Sequence, residues 1–382
     1  MSYTFQTVPS LLVEPGGVDR LGELVARRGL TRVLLVSDAG LHRLGLLNGA
    51  LSSLAAQGVR VELFCDVEAD PSAATVLAAT ERARALQLQG VIGLGGGSPM
   101  DVAKLCALLA PGEQTLEQVY GVNQAQGSRL PLILIPTTAG TGSEVTPVAI
   151  VTTGDGEKKG VVAPQLLPDQ ALLDAHLTLG LPRSISAATG IDAMVHAIEA
   201  FTSARLKNPI SDCLALEALR HLAGNLERVC DQGDDVQARQ AMLLGSTMAG
   251  MAFANAPVAA VHALAYPVGA LFHVPHGLSN SLVLPAVLRF NLEAALPLYA
   301  QLAQAVLPGI GHDQRAQAQA LLDWLGALPG TLGLPTRLSE VGIGAGDIER
   351  LAEDAMKQTR LLVNNPRPVT FDDAKALYRE VL

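Results

Sequence analysis

The sequence contains few charged side chains, and basic residues are the scarcer kind. Only 16% of its 382 residues are Asp, Glu, Lys or Arg, while 49% are hydrophobic. That composition excludes a disordered or solvating protein. The 36 acidic and 27 basic residues leave a formal net charge of −9, so binding of nucleic acid or of an anionic membrane through overall charge is not expected.

Cysteines are also few, and none of them form a CxxC pair. The four are Cys65, Cys106, Cys213 and Cys230. Their wide spacing predicts free thiols in a reducing cytosol rather than a disulfide framework. The N-terminal residues show neither the basic region nor the apolar region of a signal peptide, so we expect a cytoplasmic protein.

Charge is missing altogether from residues 240–288, an apolar stretch that contains three histidines. Prolines interrupt it at Pro257, Pro267, Pro275 and Pro285. Helices that span a lipid bilayer rarely have this composition, so we predict buried helices of a soluble protein and no membrane partner.

The pattern of hydrophobic residues changes near residue 180. Before it, nearly continuous apolar runs predict strands at 32–37, 60–64, 91–94, 131–135 and 148–152, alternating with helices at 18–28, 72–86 and 99–110. This alternation is typical of an α/β layer with a largely parallel sheet. After it, Ala/Leu-rich patterns predict helices at 184–202, 210–229, 236–251 and 294–306. We therefore predict an α/β domain over 1–180 and an all-helical domain over 181–382.

A glycine-rich loop joins the strand at 91–94 to the helix that follows. Three consecutive glycines are followed by Ser98, a good helix N-cap, by Pro99, and by Asp101, which could meet the free N–H groups of the first turn. A helix N-terminus behind such a loop commonly binds phosphate, and the alternative is a tight strand–helix turn. The loop indicates a phosphate or a dinucleotide without deciding between them.

A second loop, at 136–146, offers threonine hydroxyls and glycines at the carboxyl end of the next strand, where ligands bind in open α/β sheets. The two loops together favour a shared nucleotide. Asp38, at the end of an earlier strand, could accept the ribose hydroxyls of an adenosine, but a helix cap is an equal alternative on sequence grounds.

Histidine and aspartate residues of the helical region form a candidate metal site. Asp192 and His196 are four residues apart on a predicted helix and therefore share one face. His262 and His276 lie 14 residues apart in the charge-free stretch, where a buried imidazole needs a partner. Three imidazoles and one carboxylate suit Fe²⁺ or Zn²⁺. Each residue alone has a structural alternative, as a hydrogen-bonded core histidine or a capping aspartate.

These motifs together resemble the iron-containing (group III) alcohol dehydrogenase family. The matching segments are GGGSPMDVAK at 95–104, PTTAGTGSEVTPVAIVT at 136–152, GIDAMVHAIEAFTS at 190–203 and HALAYPVGALFHVPHGLSN at 262–280. The resemblance extends to residues 364–367 and implies a Rossmann-like N-terminal domain followed by an all-helical one. It assigns a metal ion, Fe²⁺ or another divalent ion such as Zn²⁺, to Asp192, His196, His262 and His276. It assigns NAD to Asp38, Gly95, Gly96, Gly97, Ser98, Asp101, Thr137, Thr138, Thr141, Thr146 and Lys159.

One position departs from the family pattern. Several members carry a second histidine four residues after the third ligand, where this sequence has Tyr266. That histidine lies close to substrate in those members, so a proton relay would pass here to Tyr266 or to His273. A role for His273 in the wall of the pocket is an equal alternative.

The resemblance implies a metal-dependent alcohol dehydrogenase or aldehyde reductase (EC 1.1.1.-) that acts on a small or medium-chain alcohol or aldehyde, and a homodimer or larger oligomer. Maleylacetate reductase or hydroxyacid–oxoacid transhydrogenase activity is the alternative within the family, and a non-enzymatic NAD-binding paralogue is a third interpretation. The charge-free stretch has no arginine or lysine to hold an acid, and Phe253, Leu271 and Phe272 are apolar, which favours alcohols over carboxylates. Glycerol dehydrogenases and dehydroquinate synthases resemble the fold but use other metal ligands.

Overall fold

The computed structural model describes residues 2–154 and 157–382. Within it the chain divides into two compact units, a mainly α/β unit and a mainly helical one. The α/β unit contains Gln6–Thr138 and Gly142–Gly180. The helical unit contains Leu181–Leu382 together with Ala139–Thr141 and residues 2–5. The main boundary therefore lies between residues 180 and 181, and two short segments from earlier in the chain belong to the helical unit.

The α/β unit is built on a six-stranded, all-parallel sheet. Its strand order is β1-β9-β6-β4-β2-β3, which places β4 between β2 and β6. The strands are β1 Leu11–Val13, β2 Arg32–Val36, β3 Arg60–Phe64, β4 Gly90–Gly95, β6 Leu132–Pro136 and β9 Gln170–Leu173. The helices are α1 Leu21–Ala26, α2 Ala39–Arg43, α3 Asn48–Ala56, α4 Ala73–Ala85, α5 Gly97–Leu109 and α6 Leu116–Val119.

Helices cover both faces of this sheet, as the nearly continuous apolar strands predict. Leu34 and Leu134 pack on one side with residues of α4 and α5. Leu35 and Ile133 point to the other side and pack with residues of α1 and α3. The sheet is thus doubly wound, and ligands of such sheets bind beyond the carboxyl ends of the strands.

Three of the predicted elements differ in the structure. The strand β7 Val148–Thr152 belongs to a separate sheet, where it pairs antiparallel with β8 Lys158–Val162, which in turn pairs with β5 Gly121–Val122. The predicted helix at 18–28 is a 3₁₀ turn, Gly17–Arg20, followed by the short α1. The predicted helix at 294–306 is only the end of a much longer one, because the helix begins at His276 and continues through Pro285.

The second unit consists of nine helices among the described residues. They are α7 Arg183–Thr202, α8 Pro209–Asp231, α9 Val236–Asn255, α10 Ala260–Phe272, α11 His276–Val306, α12 Gln314–Thr331, α13 Ile348–Met356, α14 Thr359–Leu362 and α15 Phe371–Glu380. A single apolar core joins residues of α7 to α15. The central helix α7 is buried almost throughout its second half, and the candidate ligands Asp192 and His196 lie there.

Two segments of this unit are long and apolar enough to cross a bilayer. One is α11, and half of its most apolar 18-residue window is buried inside the protein. The other is the pair α9 and α10, which is bent by 107° at the break. Core helices of soluble proteins have the same length and hydropathy, and residues of all three helices contribute to the shared apolar core.

Candidate metal centre and nucleotide-binding loops

The four predicted metal ligands converge in the helical unit. Asp192 and His196 come from α7, His262 comes from the first turn of α10, and His276 is the first residue of α11. One ligand atom from each lies within 4.8 Å of all the others. Asp192 Oδ1 is 4.0 Å from His196 Nε2, 3.9 Å from His262 Nε2 and 3.6 Å from His276 Nε2.

Burial prepares these side chains to bind a cation. It lowers the pKa of His196 to about 3, so the imidazole is neutral and its lone pair is available. Burial opposes ionisation of Asp192, yet the three imidazoles and an Asn280 hydrogen bond together hold the pKa of that carboxyl below its ordinary value. At neutral pH the centre therefore contains the Asp192 carboxylate and a neutral His196 imidazole.

The outer nitrogens of two histidines are held by acceptors. The Nδ1 of His262 lies 2.6 Å from Glu199 Oε2, and Glu199 Oε1 accepts from the Val261 N–H at 2.7 Å. The Nδ1 of His196 lies 3.2 Å from the Gly140 carbonyl oxygen. A carboxylate and a carbonyl can only accept, so both Nδ1 atoms carry the proton and both Nε2 atoms present lone pairs. This arrangement is typical of histidines that bind metal.

Asn280, one turn along α11 from His276, supplies a further contact. Its Nδ2 donates to Asp192 Oδ1 at 2.5 Å and lies 3.3 Å from the Nε2 atoms of His262 and His276. Its Oδ1 is buried and has no hydrogen-bond partner among the described residues. A buried acceptor without a hydrogen-bond partner destabilises a protein. Here that acceptor belongs to a residue that contacts Asp192, His262 and His276, whose lone pairs a cation would bind.

The donor set therefore fits a divalent transition ion. Ligand atoms at bonding distance in a tetrahedral site are roughly 3.3–3.6 Å apart, only a little closer than the distances from Asp192 Oδ1 given above. Three nitrogens and one oxygen suit Fe²⁺ or Zn²⁺ better than Ca²⁺ or Mg²⁺, which prefer oxygen. His276, whose side chain is 36% exposed, lies on the accessible side of the group.

Two aromatic rings lie beside this group. Phe253 stacks on His196 with ring centroids 4.4 Å apart, as expected of a residue that lines the site. The ring of Tyr266 is 5.9 Å from that of His276 and 6.4 Å from that of His262. Burial raises the pKa of the Tyr266 phenol, so this group holds its proton at neutral pH and serves as a hydrogen-bond donor.

His273 lies elsewhere. It caps the C-terminus of α10 in the left-handed conformation, with φ 55° and ψ 27°, and its side chain is exposed. Its backbone N–H donates to Gly269 O, and among the described residues its imidazole has no hydrogen bond, ion pair or ring contact. The structure does not bring it into the metal-ligand group, and its relay role stays a prediction.

The glycine-rich loop joins β4 to α5 in the α/β unit, but its helix begins earlier than expected. Gly96 occupies the N-cap position and α5 starts at Gly97, so Ser98 lies inside the first turn and is not the cap. A side chain at Gly95 would bring Cβ within 2.7 Å of Pro99 Cγ, and this close approach requires glycine there. Because glycine occupies the N-cap position, the N–H groups of the first turn have no side-chain cap among the described residues. They are therefore free to bind an anion.

Asp101 does not meet the first turn of α5, contrary to our expectation. Its carboxylate accepts from Ser143 Oγ at 2.7 Å and from the Ile150 N–H at 2.9 Å. The fully buried Lys104 lies 3.7 Å away and donates to Ser143 Oγ, Thr146 Oγ1 and the Val148 carbonyl. Burial raises the pKa of Asp101 and lowers that of Lys104 to about 8. This pair fastens the second loop to α5.

The structure assigns local contacts to the other predicted nucleotide residues. Asp38 caps α2, where Oδ1 accepts from the Leu41 N–H at 2.9 Å, so the helix-cap alternative is present. The backbone N–H of Thr137 donates to Gly95 O at 2.9 Å, and Thr138 lies beside Gly96. Lys159 lies on β8, with Nζ 3.6 Å from Glu157 Oε2. Thr141, by contrast, belongs to the helical unit, and whether any of these residues binds a nucleotide remains a prediction.

Comparison with known proteins decides the family. Residues 9–175 match the profile of "Iron-containing alcohol dehydrogenase", and residues 186–382 match that of "Fe-containing alcohol dehydrogenase family, C-terminal". The chain belongs to the iron-containing alcohol dehydrogenase family. It is accordingly an oxidoreductase of the alcohol dehydrogenase/aldehyde reductase class, which implies a metal ion and a nicotinamide cofactor.

Relatives match over nearly the whole length. The chain is 37% identical to "Probable alcohol dehydrogenase EutG" of Escherichia coli (strain K12), covering 98% of this chain and 93% of that protein. It is 33% identical to "Sulfoacetaldehyde reductase" of Bilophila wadsworthia, covering 99% and 98%. A crystal structure of 1,3-propanediol oxidoreductase superposes with a TM-score of 0.97 at 32% identity, covering all of both chains.

Sequence reasoning missed two residues around the metal ligands. Glu199 is the only acidic residue between Asp192 and the end of α7, three residues after His196 and so close to its face. Asn280 follows His276 by four residues on α11. Residues three or four apart share one face of a helix, which is how Asp192 and His196 were identified. Counting three or four residues onward from His196 and His276 would have found Glu199 and Asn280 as well.

Proposed function

We propose that this member of the family uses NADH and Fe²⁺ to interconvert small or medium-chain alcohols and aldehydes. The observation that carries the proposal is the convergence of Asp192, His196, His262 and His276 on one point. Relatives named as alcohol dehydrogenases, such as "1,3-propanediol dehydrogenase" of Klebsiella pneumoniae at 33% identity, support the substrate class.

A divalent ion held by these ligands would supply Lewis acidity toward an alcohol or carbonyl oxygen. The residues around it have separate tasks. Glu199 and the Gly140 carbonyl fix the ring orientation and tautomer of His262 and His196. The rings of Phe253 and Tyr266 lie beside the ligand imidazoles and add apolar surface around them, and the protonated Tyr266 phenol would supply a hydrogen-bond donor.

Cofactor choice is a second part of the proposal. The carboxylate of Asp38, at the carboxyl end of β2, would accept the ribose hydroxyls of NAD and repel the 2′-phosphate of NADP. Capping α2 engages Oδ1 of this carboxylate, and the second oxygen, Oδ2, would accept the ribose hydroxyls. The first turn of α5, which has no side-chain cap, would bind the pyrophosphate.

The assembly and location of the protein are the third part of the proposal. All four cysteines are free, as expected in a reducing cytosol, and we propose a cytoplasmic enzyme. A homo-oligomer is expected from the family resemblance alone. Sedimentation of the purified protein would establish it.

The experiment follows NADH and NADPH oxidation by neutral aldehydes of increasing length. Metal-stripped protein is reloaded with Fe²⁺ in the absence of oxygen, or with Zn²⁺ in parallel. The proposal expects turnover that depends on Fe²⁺ and is faster with NADH. No turnover with either metal would refute the substrate class, and a preference for NADPH would refute the role of Asp38.

A further inference from the structure

Asn280 contacts the candidate metal ligands from outside their set. It lies on α11, four residues after His276, and is fully buried. Its Nδ2 donates to Asp192 Oδ1 at 2.5 Å and lies 3.3 Å from the Nε2 atoms of His262 and His276. A single amide nitrogen therefore contacts ligand atoms that come from three helices, α7, α10 and α11.

The oxygen of the same amide contributes no hydrogen bond. Asn280 Oδ1 is buried and has no hydrogen-bond partner within residues 2–154 and 157–382. A buried acceptor without a partner destabilises the fold, whereas a leucine has nearly the same shape and no polar atom. Packing alone would therefore favour leucine at this position. The useful part of the Asn280 side chain is its nitrogen, which faces the metal ligands.

Asn291, further along the same helix, is an asparagine with an ordinary structural role. It is also buried, but both ends of its amide are paired with Asn365. Its Nδ2 donates to Asn365 Oδ1 at 2.9 Å, and its Oδ1 accepts from Asn365 Nδ2 at 2.8 Å. Eleven residues of α-helix, or roughly 16 Å, separate it from Asn280, so it offers a matched comparison on α11.

The number of lone pairs decides which contact of Asn280 is compatible with a bound ion. A neutral imidazole has one nitrogen lone pair, so an Nε2 atom that binds an ion cannot also accept from the amide. A carboxylate oxygen has two lone pairs, so Asp192 Oδ1 can bind an ion and accept from Nδ2 at the same time. The bond to Asp192 is therefore the contact that Asn280 can keep in the metal-loaded enzyme.

That bond restricts the rotation of the Asp192 carboxylate. Oδ1 is the oxygen that lies 3.6–4.0 Å from the Nε2 atoms of the three histidines. The last torsion of an aspartate has broad minima, so without a partner the carboxylate could turn this oxygen away. Glu199 of α7 holds His262 of α10 in a similar manner, and each of these two partners thus acts on a ligand from another helix.

We propose that Asn280 is a positioning residue of the metal centre. Its amide nitrogen orients the Asp192 carboxylate and so raises the affinity of the centre for a divalent ion. This inference rests on the metal site of the proposed function, but it does not depend on which alcohol or aldehyde is the substrate. Loss of an outer partner of this kind typically lowers metal affinity by about 10- to 100-fold.

The test compares Asn280→Leu with Asn291→Leu in the full-length protein. Metal-stripped samples are titrated with Zn²⁺ and with Co²⁺ against a competing chelator. Affinity should fall by about 10- to 100-fold in Asn280→Leu and stay at the wild-type value in Asn291→Leu. The visible absorption of bound Co²⁺ reports the arrangement of its ligands, and it should change in Asn280→Leu alone.

Denaturant titration of the same metal-stripped samples separates positioning from structure. Asn280→Leu loses one hydrogen bond but also removes an unpaired acceptor, so the unfolding midpoint should shift little. Asn291→Leu leaves the Asn365 amide unpaired and should shift the midpoint further. A structural role for Asn280 predicts the reverse, with a large loss of stability at unchanged metal affinity.

Asn280→Ala is a second variant that removes the donor without adding volume, and it should also bind metal more weakly. Wild-type affinity in both Asn280 variants overturns the proposal, and so does an equal loss of affinity in Asn291→Leu. These measurements need no turnover. Weaker binding in the Asn280 variants supports the inference even where no aldehyde is reduced, and the proposed function alone then fails. Aldehyde reduction by wild type combined with unchanged affinity in the variants refutes the inference and leaves the proposed function standing.

Discussion

Glu199→Gln is the substitution that examines the metal centre most closely without removing a ligand. In the wild type, the carboxylate accepts from both the Val261 N–H and His262 Nδ1. A glutamine can keep the first bond through its carbonyl oxygen, but its NH₂ then faces His262 Nδ1. That contact favours the tautomer with the proton on Nε2, which removes the lone pair that would bind metal.

The expected magnitude follows from the position of Glu199 behind a ligand. Loss of such an outer partner typically reduces metal affinity by about 10- to 100-fold, or roughly 1.4–2.8 kcal/mol. Metal-stripped protein is titrated with Zn²⁺ against a competing chelator, and with Fe²⁺ without oxygen. The variant should bind both ions more weakly, and the free energy of unfolding without metal should change less than with metal.

The matched control is Glu217→Gln. Glu217 also faces a histidine, with Oε1 3.7 Å from His221 Nε2, but lies on the exposed side of α8. It should leave metal affinity unchanged. Wild-type affinity in Glu199→Gln would show that His262 does not depend on this carboxylate, and our description of the outer contacts would be wrong.

Three further outcomes are expected. Asp38→Asn removes the negative charge, so the ratio of kcat/KM with NADPH to kcat/KM with NADH should rise on the order of tenfold. The asparagine still offers an acceptor to the Leu41 N–H, so the thermal stability should not change. Burial lowers the pKa of Lys104 to about 8, whereas a lysine in an unfolded chain has a pKa of about 10.4. Between these two pH values the unfolded state binds more protons than the folded state, so the free energy of unfolding of wild type relative to Lys104→Met should rise as the pH increases. Denaturant titrations across this pH range would measure the change. Gly277→Ala would place Cβ 2.5 Å from the Ala188 carbonyl oxygen, so it should destabilise the protein by about 1–3 kcal/mol in denaturant titrations and weaken metal binding by shifting His276.

Much of the fold was predictable because its strongest signals are local. The strands at Arg60–Phe64 and Val148–Thr152 have the predicted bounds, and helix α7 begins one residue early. Strand β8 was missed because it begins with two lysines and lies in a small second sheet. The predicted helix covered only the end of α11 because Pro285 usually ends a helix, whereas packing here overrides that preference.

The site was predictable where one helical turn brings two residues together, and less so elsewhere. Asp192 and His196 follow from spacing, while their convergence with His262 and His276 depends on how three helices pack. Asp101 was expected at the first turn of α5, but a loop distant in sequence competes for its carboxylate.

The measurement that tests the account most directly is a titration of metal-stripped protein with Fe²⁺ in the absence of oxygen, with NADH oxidation by an aldehyde recorded at each step. We expect activity to rise in proportion to bound iron and to level off at one ion per chain. His276→Ala should lose bound iron and turnover together. Full activity in metal-stripped protein, or in His276→Ala without bound metal, would contradict the assignment of the metal centre.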